Sequence, residues 1–234
     1  MFNEVKIPIS EIFFSIQGEG INIGKPAIFL RLYYCNLYCE WCDTKYTWVN
    51  QKNAKEGIDY KNFTVGEILS EIKKYPAKHV VITGGEPLIF QKHLLPLVKL
   101  LRMEKYYVEI ETNGTIKPLE ELVRYVDNFS VSPKLSNSKV SHNVRIKANV
   151  LEFFSNLDNA FFKFVICDKN DIIELESLIR QFNINKEKVI LMPEGTEIET
   201  LKDRSLWITE YCKKNSYRFS PRLHILIYGN KRGI

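Results

Sequence analysis

Short apolar runs alternate along the chain with longer segments in which apolar residues recur every three or four positions. The runs are rich in β-branched and aromatic residues, and they lie at 27–34, 79–83, 106–111, 128–132, 160–167, 188–193 and roughly 217–228. Runs of this length and composition predict buried β-strands. Segments with helical spacing lie between them, at 65–75, 94–101, 170–182 and 197–214. Thr64 and Glu67 have the spacing of a capping box at the start of the first of these helices.

This order of elements predicts an α/β protein in which a helix connects each strand to the next. Such connections favour parallel βαβ units, because two parallel neighbours require a crossover between them. About six units can be counted, fewer than a complete (β/α)8 barrel contains. We therefore predict a single domain over residues 1–234. Its fold class is α/β, an incomplete (β/α)6-type barrel with parallel strands and outer helices.

Composition and charge narrow the class of protein. The chain has 234 residues, of which 45% are hydrophobic and 26% charged, as is usual for a soluble globular protein. Its net charge of +5 is too mild for a nucleic-acid-binding surface. No apolar run reaches the ~18 residues of a membrane helix, and the first ten residues lack the apolar centre of a signal peptide. We expect a cytoplasmic protein that binds neither nucleic acid nor a membrane.

Three of the five cysteines are crowded into eight residues directly after the predicted strand at 27–34: Cys35, Cys39 and Cys42. An odd number of cysteines at such close spacing does not fit a disulfide framework, so reduced thiols and a metal site are favoured. Three thiolates suit a [4Fe–4S] cluster in which one iron stays open for another ligand. The alternative is a zinc site completed by a distant residue, and His79 is the nearest histidine.

The C-x3-C-x2-C spacing, with Trp41 directly before the third cysteine, resembles the signature of the radical S-adenosylmethionine (SAM) superfamily. In that superfamily the open iron of a [4Fe–4S] cluster binds SAM. An electron from the cluster then cleaves SAM to methionine and a 5′-deoxyadenosyl radical. The resemblance implies the same two cofactors here and a radical SAM barrel as the fold, with Trp41 near the adenine.

Three further motifs follow predicted strands, at the edge where parallel α/β folds bind ligands. They are Gly84-Gly85-Glu86-Pro87, Glu109-Ile110-Glu111-Thr112-Asn113-Gly114 and Ser132-Pro133-Lys134. Paired glycines let the backbone approach a ligand, and a carboxylate can hold an ammonium or hydroxyl group. Glu109 and Glu111 lie on the same side of their strand, so either could face the barrel interior. The resemblance assigns SAM binding to Trp41, Cys42, Asp43, Gly84, Gly85, Glu86, Glu111, Asn113, Ser132, Pro133 and Lys134.

A polar loop precedes the first predicted strand and carries groups that suit a heterocyclic substrate. The loop contains Gln17, Gly18 and Glu19, whose amide and carboxylate fit the donor and acceptor edge of a pterin or guanine-like ring. Arg31, within the strand, suits a substrate carboxylate. Asp43 and Thr44 add oxygen ligands for a hard cation.

Together these motifs resemble the 7-carboxy-7-deazaguanine synthase family of radical SAM enzymes over nearly the whole chain. Members convert 6-carboxy-5,6,7,8-tetrahydropterin to 7-carboxy-7-deazaguanine with loss of ammonia, in 7-deazapurine and queuosine biosynthesis. The resemblance implies a Mg²⁺ ligand at Thr44, a flavodoxin or ferredoxin as electron donor, and a homodimer. It assigns substrate binding to Ile16, Gln17, Gly18, Glu19, Arg31 and Thr83. We expect an N-terminal substrate loop at 10–24, a polar insertion at 49–62 and a C-terminal closing segment at 217–234.

Two other functions share part of this pattern. A glycyl-radical-enzyme activase has the same three-cysteine motif and acts on a protein. However, Cys167 and Cys212 are isolated in apolar segments and form no second cysteine cluster, and both are predicted to be small buried side chains. The other alternative is a non-catalytic zinc-binding or RNA-binding module. Its basic residues would be clustered, whereas those of this chain are scattered among acidic ones.

Overall fold

One sheet organises the part of the chain that the computed structural model describes, residues 6–48 and 60–234. Its strands are β1 Lys6–Ile16, β2 Pro26–Leu32, β3 Lys61–Thr64, β4 His79–Gly84, β5 Tyr107–Thr112, β6 Asn128–Val131, β7 Ala160–Ile166, β8 Val189–Pro193 and β9 Arg218–Phe219. They are ordered β3-β1-β2-β4-β5-β6-β7-β8-β9, and β3 and β9 remain unpaired with each other at the two ends. The sheet is therefore not closed, as expected for an incomplete barrel.

From β2 to β9 the neighbouring strands are all parallel, and an antiparallel extension precedes them. Strand β1 runs antiparallel to both β2 and β3, with an irregularity in register between Ile9 and Glu11. The predicted parallel core is confirmed. The antiparallel edge was not predicted, because the residues of β1 mix apolar and polar side chains without a clean run.

Helices cover the outer face of the parallel strands, except for the last helix, which contributes to the inner side. They are α1 Val65–Ile72, α2 Gln91–Met103, α3 Glu120–Val123, α4 His142–Arg145, α5 Ala148–Ser155, α6 Asp171–Gln181, α7 Ile198–Asn215 and α8 Leu223–Tyr228. The predicted capping box is present at α1, where Thr64 and Glu67 exchange hydrogen bonds with each other's backbone N–H. Within residues 6–48 and 60–234, no helix is long and apolar enough to cross a membrane.

Alternate residues of each strand face opposite environments, and this alternation produces the site. Val80, Ile82, Val108 and Ile110 point outward into the main core, where they pack with buried residues of the helices. The residues between them point to the inner side, where Thr83 and others line a cavity. The inner face is therefore free to be polar while the outer face supplies the apolar burial that stabilises the fold.

Three predicted boundaries are wrong or extend beyond the described residues. The strand predicted at 217–228 is only two residues long and is followed by helix α8, because Pro221 cannot donate to a ladder and a short apolar run suits either element. The loop predicted at 10–24 begins later, since β1 continues to Ile16. Most of the insertion predicted at 49–62 lies outside the described residues, and its last two residues belong to β3.

The outer core makes a direct prediction for stability. Phe154 of α5 is fully buried and packs on Phe129 of β6, with ring centroids 5.5 Å apart. We expect Phe154→Ala to lower the free energy of unfolding by about 3–5 kcal/mol, because it leaves a cavity that the neighbours cannot fill. Met103→Ala is the control, since Met103 is 77% exposed and its truncation should change stability by less than about 0.5 kcal/mol. Equal losses in urea denaturation would contradict the prediction.

Candidate active site

A cavity of about 400 Å³ opens at the carboxyl ends of the parallel strands. It brings together most of the residues predicted from sequence: Ile16, Gln17, Gly18, Glu19, Arg31, Cys35, Cys39, Trp41, Cys42, Asp43, Thr44, Thr83, Gly84, Gly85, Glu111, Asn113, Ser132 and Lys134. Two predicted residues, Glu86 and Pro133, do not line it. These side chains are separated by up to about a hundred positions in the chain, so the strand order is what assembles them.

The three clustered cysteines form one wall of the cavity. Burial raises the pKa of Cys35 to about 12 and also raises the pKa of Cys39, while the nearby Lys134 ammonium opposes both shifts. Among the described residues, no three His, Cys, Asp or Glu side chains converge where a single metal ion could bind. This is compatible with an iron–sulfur cluster, because each cysteine of a cluster binds a different iron.

The Gly84-Gly85 pair fits against the strand and loop that lead to the cysteines. Gly84 has a φ of 120°, and a Cβ atom there would lie 2.3 Å from the Leu32 backbone nitrogen. A Cβ atom on Gly85 would lie 1.8 Å from the Tyr34 carbonyl oxygen. The Gly85 N–H donates to the Leu32 carbonyl at 3.0 Å. Glycine is therefore required at both positions, and it lets this segment reach the cavity directly beside the cysteine loop.

Glu86 faces away from the cavity and connects two loops. Its carboxylate is fully buried and accepts hydrogen bonds from the Leu88 N–H at 3.0 Å, the Thr112 hydroxyl at 2.8 Å and the Asn113 N–H at 2.7 Å. Burial raises the pKa of Glu86, and these donors oppose the rise. Glu86 thus orients the turn at Asn113. The Asn113 amide in turn donates to the Asn36 side chain at 2.9 Å, in the cysteine loop.

The two candidate glutamates of β5 have separate environments. Glu111 lines the cavity and accepts hydrogen bonds from the Thr83 hydroxyl at 2.7 Å and the Gln17 amide at 3.3 Å. Glu109 does not line the cavity: it accepts from Asn22 at 2.7 Å and contacts His79. Of the two residues that alternation left open, the structure brings Glu111 to the ligand-binding edge.

Glu19 is the centre of a buried ionic network. One carboxylate oxygen pairs with the Lys163 ammonium and the other lies 3.2 Å from the Arg222 Nε. Burial alone would raise the pKa of Glu19, but Lys163, Arg222 and His224 outweigh it and hold that pKa well below its usual value. Arg222 also pairs with Asp43 beside the last cysteine. The network therefore links the N-terminal loop, β7, the cysteine loop and the C-terminal segment.

Lys163 and Arg222 were missed in the sequence. Lys163 had a signal, since it is the one charged residue within the apolar run of β7, at a position that alternation directs inward. Arg222 had none, because it follows a proline in a segment predicted to be a strand. Its role depends on where the C-terminal segment folds.

The C-terminal segment packs on the N-terminal loop and closes one side of the cavity. The Leu223 N–H donates to the Gly18 carbonyl at 2.9 Å, and the Gly20 N–H donates to the Ser220 hydroxyl at 2.9 Å. A Cβ atom on Gly18 would lie 2.1 Å from the His224 ring. Residues 230–234 also line the cavity. The loop and the segment therefore form one wall together.

Arg31 is anchored by a second ionic group at the cavity rim. Its Nε donates to Glu11 at 2.9 Å, and Glu11 also accepts from the Tyr46 hydroxyl at 3.1 Å. Arg232, from the C-terminal segment, pairs with the same carboxylate and covers the Tyr46 ring. Glu11 thus fixes the orientation of Arg31, and the sequence showed no pattern that would have singled it out.

The chain is similar to several known proteins over most of its length. Residues 31–166 match the radical SAM superfamily. The 7-carboxy-7-deazaguanine synthase of Pyrobaculum aerophilum is 38% identical, covering 97% of each chain, and that of Clostridium acetobutylicum is 34% identical, covering 97% of this chain and 98% of the relative. The crystal structure of QueE from Escherichia coli superimposes with a TM-score of 0.74 at 31% identity, covering 95% of this chain and 97% of that one.

The chain belongs to the 7-carboxy-7-deazaguanine synthase family of radical SAM enzymes. Membership confirms the predicted fold and implies a [4Fe–4S] cluster and SAM as cofactors. The residues present fit this family's cofactors, since three thiols on one cavity wall leave one iron of a cluster open.

The Gly85 contact predicts how strongly this family member depends on a glycine. We expect Gly85→Ala to destabilise the fold by about 1–3 kcal/mol and to lower the iron content after reconstitution, because the Tyr34–Cys35 backbone must shift. Gly66→Ala is the matched control. Nothing lies within 4 Å of its added Cβ atom, and alanine favours helix α1 by about 1 kcal/mol. Normal iron content in Gly85→Ala would contradict the prediction.

The ionic network around Glu19 predicts a large effect on the stability of the fold. We expect Glu19→Gln to lower the free energy of unfolding by about 3–5 kcal/mol at pH 7, because it leaves Lys163 and Arg222 buried without their shared anion. Glu210→Gln is the control, since its pair with Lys213 is exposed and should be worth less than about 1 kcal/mol.

The same variant has a predictable dependence on pH. The folded state holds the pKa of Glu19 below its usual value of 4.5, so the stabilisation is complete above about pH 4.5. This stabilisation is lost as the pH falls towards the lowered pKa. In that range Glu19 is protonated in the unfolded chain but ionised in the folded protein, so folding must release a proton. The stability difference between wild type and Glu19→Gln should therefore shrink on acidification. A difference that grows below pH 4.5 would contradict this assignment.

Proposed function

We propose that this protein converts 6-carboxy-5,6,7,8-tetrahydropterin to 7-carboxy-7-deazaguanine with release of ammonia. The observation that carries the proposal is one cavity that joins the cysteine loop to the Gln17–Glu19 loop. When bound, the cluster and SAM supply a carbon radical that abstracts hydrogen. The chain's own residues then bind the substrate, orient it and exclude water.

The SAM-binding side of the cavity comprises the ends of β4, β5 and β6. We assign Trp41 to the adenine, with the Lys134 ammonium 5.4 Å from its ring centre and donating to the Ser132 hydroxyl at 2.9 Å. Gly84 and Gly85 bring backbone groups to the ligand. Glu86 acts as a positioning residue rather than as a contact, since its oxygens already accept three hydrogen bonds.

The substrate side comprises the N-terminal loop, β2 and the C-terminal segment. Gln17 and Thr83 are both hydrogen-bonded to Glu111, so donors and acceptors for a pterin edge are already oriented. Arg31, fixed by Glu11, is assigned to the substrate carboxylate. Glu19 carries a charge that Lys163 balances, and it offers acceptor oxygens to ring N–H groups.

The charge of the cavity suits an anionic substrate. Six Lys and Arg side chains line it against four Asp and Glu side chains. We assign Mg²⁺ to the Thr44 hydroxyl, which lines the cavity 3.6 Å from the Cys42 sulfur. There the ion would neutralise and orient the substrate carboxylate. Asp43 is the nearest carboxylate in the sequence, but its pairing with Arg222 makes it a poorer ligand.

The proposed function also includes an electron donor, an oligomeric state and a cellular location. A reductant must deliver one electron to the cluster, and we propose a flavodoxin or ferredoxin. We also propose a homodimer in the cytoplasm. The family resemblance implies the electron donor and the homodimer.

The test is an anaerobic turnover assay with the reconstituted cluster, SAM, dithionite, Mg²⁺ and 6-carboxytetrahydropterin. We expect 7-carboxy-7-deazaguanine by mass and ultraviolet absorbance, with a lower rate when Mg²⁺ is omitted. Cys39→Ala should abolish product because it removes a cluster ligand. Cys212→Ala makes the same chemical change at a buried cysteine outside the cavity and should retain product formation.

Two outcomes would overturn different parts of the proposal. If SAM is cleaved but no deazapurine forms, the assigned substrate is wrong. If Cys39→Ala and Cys212→Ala form product equally well, the cysteine loop does not hold the cluster.

A further inference from the structure

Trp48 makes a hydrogen bond to a cluster-binding cysteine that neither the motifs nor the proposed reaction uses. Its indole Nε1–H donates to the Cys42 sulfur at 3.2 Å. An indole nitrogen is a donor only, so this contact cannot be reversed. The sulfur that receives it is the last of the three predicted cluster ligands.

The position of the indole is built into the backbone. Lys45–Thr47 forms a 3-10 turn in which the Trp48 N–H donates to the Lys45 carbonyl at 3.1 Å. Thr47 is fully buried, and its hydroxyl donates to the Thr44 carbonyl at 2.8 Å. The Thr47 carbonyl accepts from the Tyr34 N–H at 2.7 Å, just beyond the end of β2. The turn that carries Trp48 is thus tied to the start of the cysteine loop.

A second aromatic ring supports the indole from outside. Tyr38, which is 58% exposed, packs edge-on against Trp48 with ring centroids 5.1 Å apart and an interplanar angle of 75°. Edge-to-face pairs of this kind favour a defined ring orientation. The indole is therefore held between the Tyr38 ring and the Cys42 sulfur.

We propose that Trp48 is a positioning residue that raises the reduction potential of the cluster through its hydrogen bond to Cys42. Reduction adds negative charge to the cluster and its sulfurs, so an N–H donor stabilises the reduced form more than the oxidised form. The inference rests on the proposed cluster at the three cysteines. Its consequence is that electron delivery to the cluster, the step before SAM cleavage, depends on this indole.

The same loop contains a matched control. The Trp41 indole donates to the Asn137 side chain at 3.1 Å and not to a cysteine sulfur. Both tryptophans lie near the cysteines and are half-buried. Replacing each with phenylalanine removes one indole N–H from the same region, but only Trp48→Phe removes a donor to sulfur.

The experiment is a potentiometric titration of the reconstituted cluster without SAM or substrate, followed by electron paramagnetic resonance of the reduced state. Iron and sulfide contents are measured first for each protein. We expect the midpoint of Trp48→Phe to be more negative than that of wild type, with a smaller reduced fraction at any fixed potential. Trp41→Phe should titrate like wild type. Coincident midpoints for Trp48→Phe and wild type would overturn the inference.

A second measurement decides the matter even if Trp48→Phe fails to assemble a cluster. In protein labelled with ¹⁵N only in the tryptophan indoles, hyperfine spectroscopy of the reduced cluster should detect a coupled ¹⁵N nucleus. The coupling should persist in Trp41→Phe. Its absence from wild type would overturn the inference.

Because no substrate is present, these readouts are separate from the proposed reaction. If the midpoint potential of Trp48→Phe is shifted but no deazapurine forms in the turnover assay, only the proposed substrate is wrong. If the wild-type protein binds no cluster, both the proposed reaction and the proposed role of Trp48 are wrong.

Discussion

The closed cavity depends on the largely buried carboxylate of Glu19. An ionised carboxylate out of water is costly unless cations and hydrogen bonds surround it, and here Lys163 and Arg222 do so. Each partner comes from a different part of the chain. The N-terminal loop, β7 and the segment after β9 must therefore all be in place before the charge is neutralised. Closing the cavity and satisfying this charge are one requirement.

The cavity has a second organising feature, the close approach of the Gly84-Gly85 segment to the cysteine loop. Glycine at both positions lets the end of β4 touch the backbone at Leu32 and Tyr34. Glu86 then reaches the turn after β5 and fixes Asn113. Three consecutive strand ends are thereby joined by contacts that depend on small size or complete hydrogen bonding. Such a rigid wall suits radical chemistry, which needs reacting atoms held close and water kept out.

Several polar residues orient the side chains and loops that form the cavity. Glu11 orients Arg31 and receives Arg232 from the C-terminal segment, while Glu86 orients a loop without entering the cavity. Trp48 carries no charge, yet its indole N–H is directed at the Cys42 sulfur. Polar residues behind or beside the cavity wall thus determine the orientation of the side chains that line it.

The local features of this protein could be predicted from the amino-acid pattern alone. Strand and helix order, the capping box at Thr64 and the cysteine spacing depend on neighbours a few residues apart, so their patterns can be read directly. Residues at the ends of parallel strands could be grouped into one site, because that fold places all such ends at one edge. The resemblance then indicated the family and suggested roles for many of the cavity residues.

Long-range contacts between polar groups, in contrast, depend on how the strands and loops pack together. Nothing near Arg222 in the chain indicates that it pairs with Glu19, and nothing near Glu86 indicates that it faces a buried turn. The apolar residues after Pro221 could form a strand or a helix, and packing over the cavity selects the helix α8. Alternation predicted that Glu109 and Glu111 lie on the same face of β5. Glu111, nearer the carboxyl end of the strand, lines the cavity, whereas Glu109 is buried below it. These outcomes depend on distances between strands, which a one-dimensional pattern does not contain.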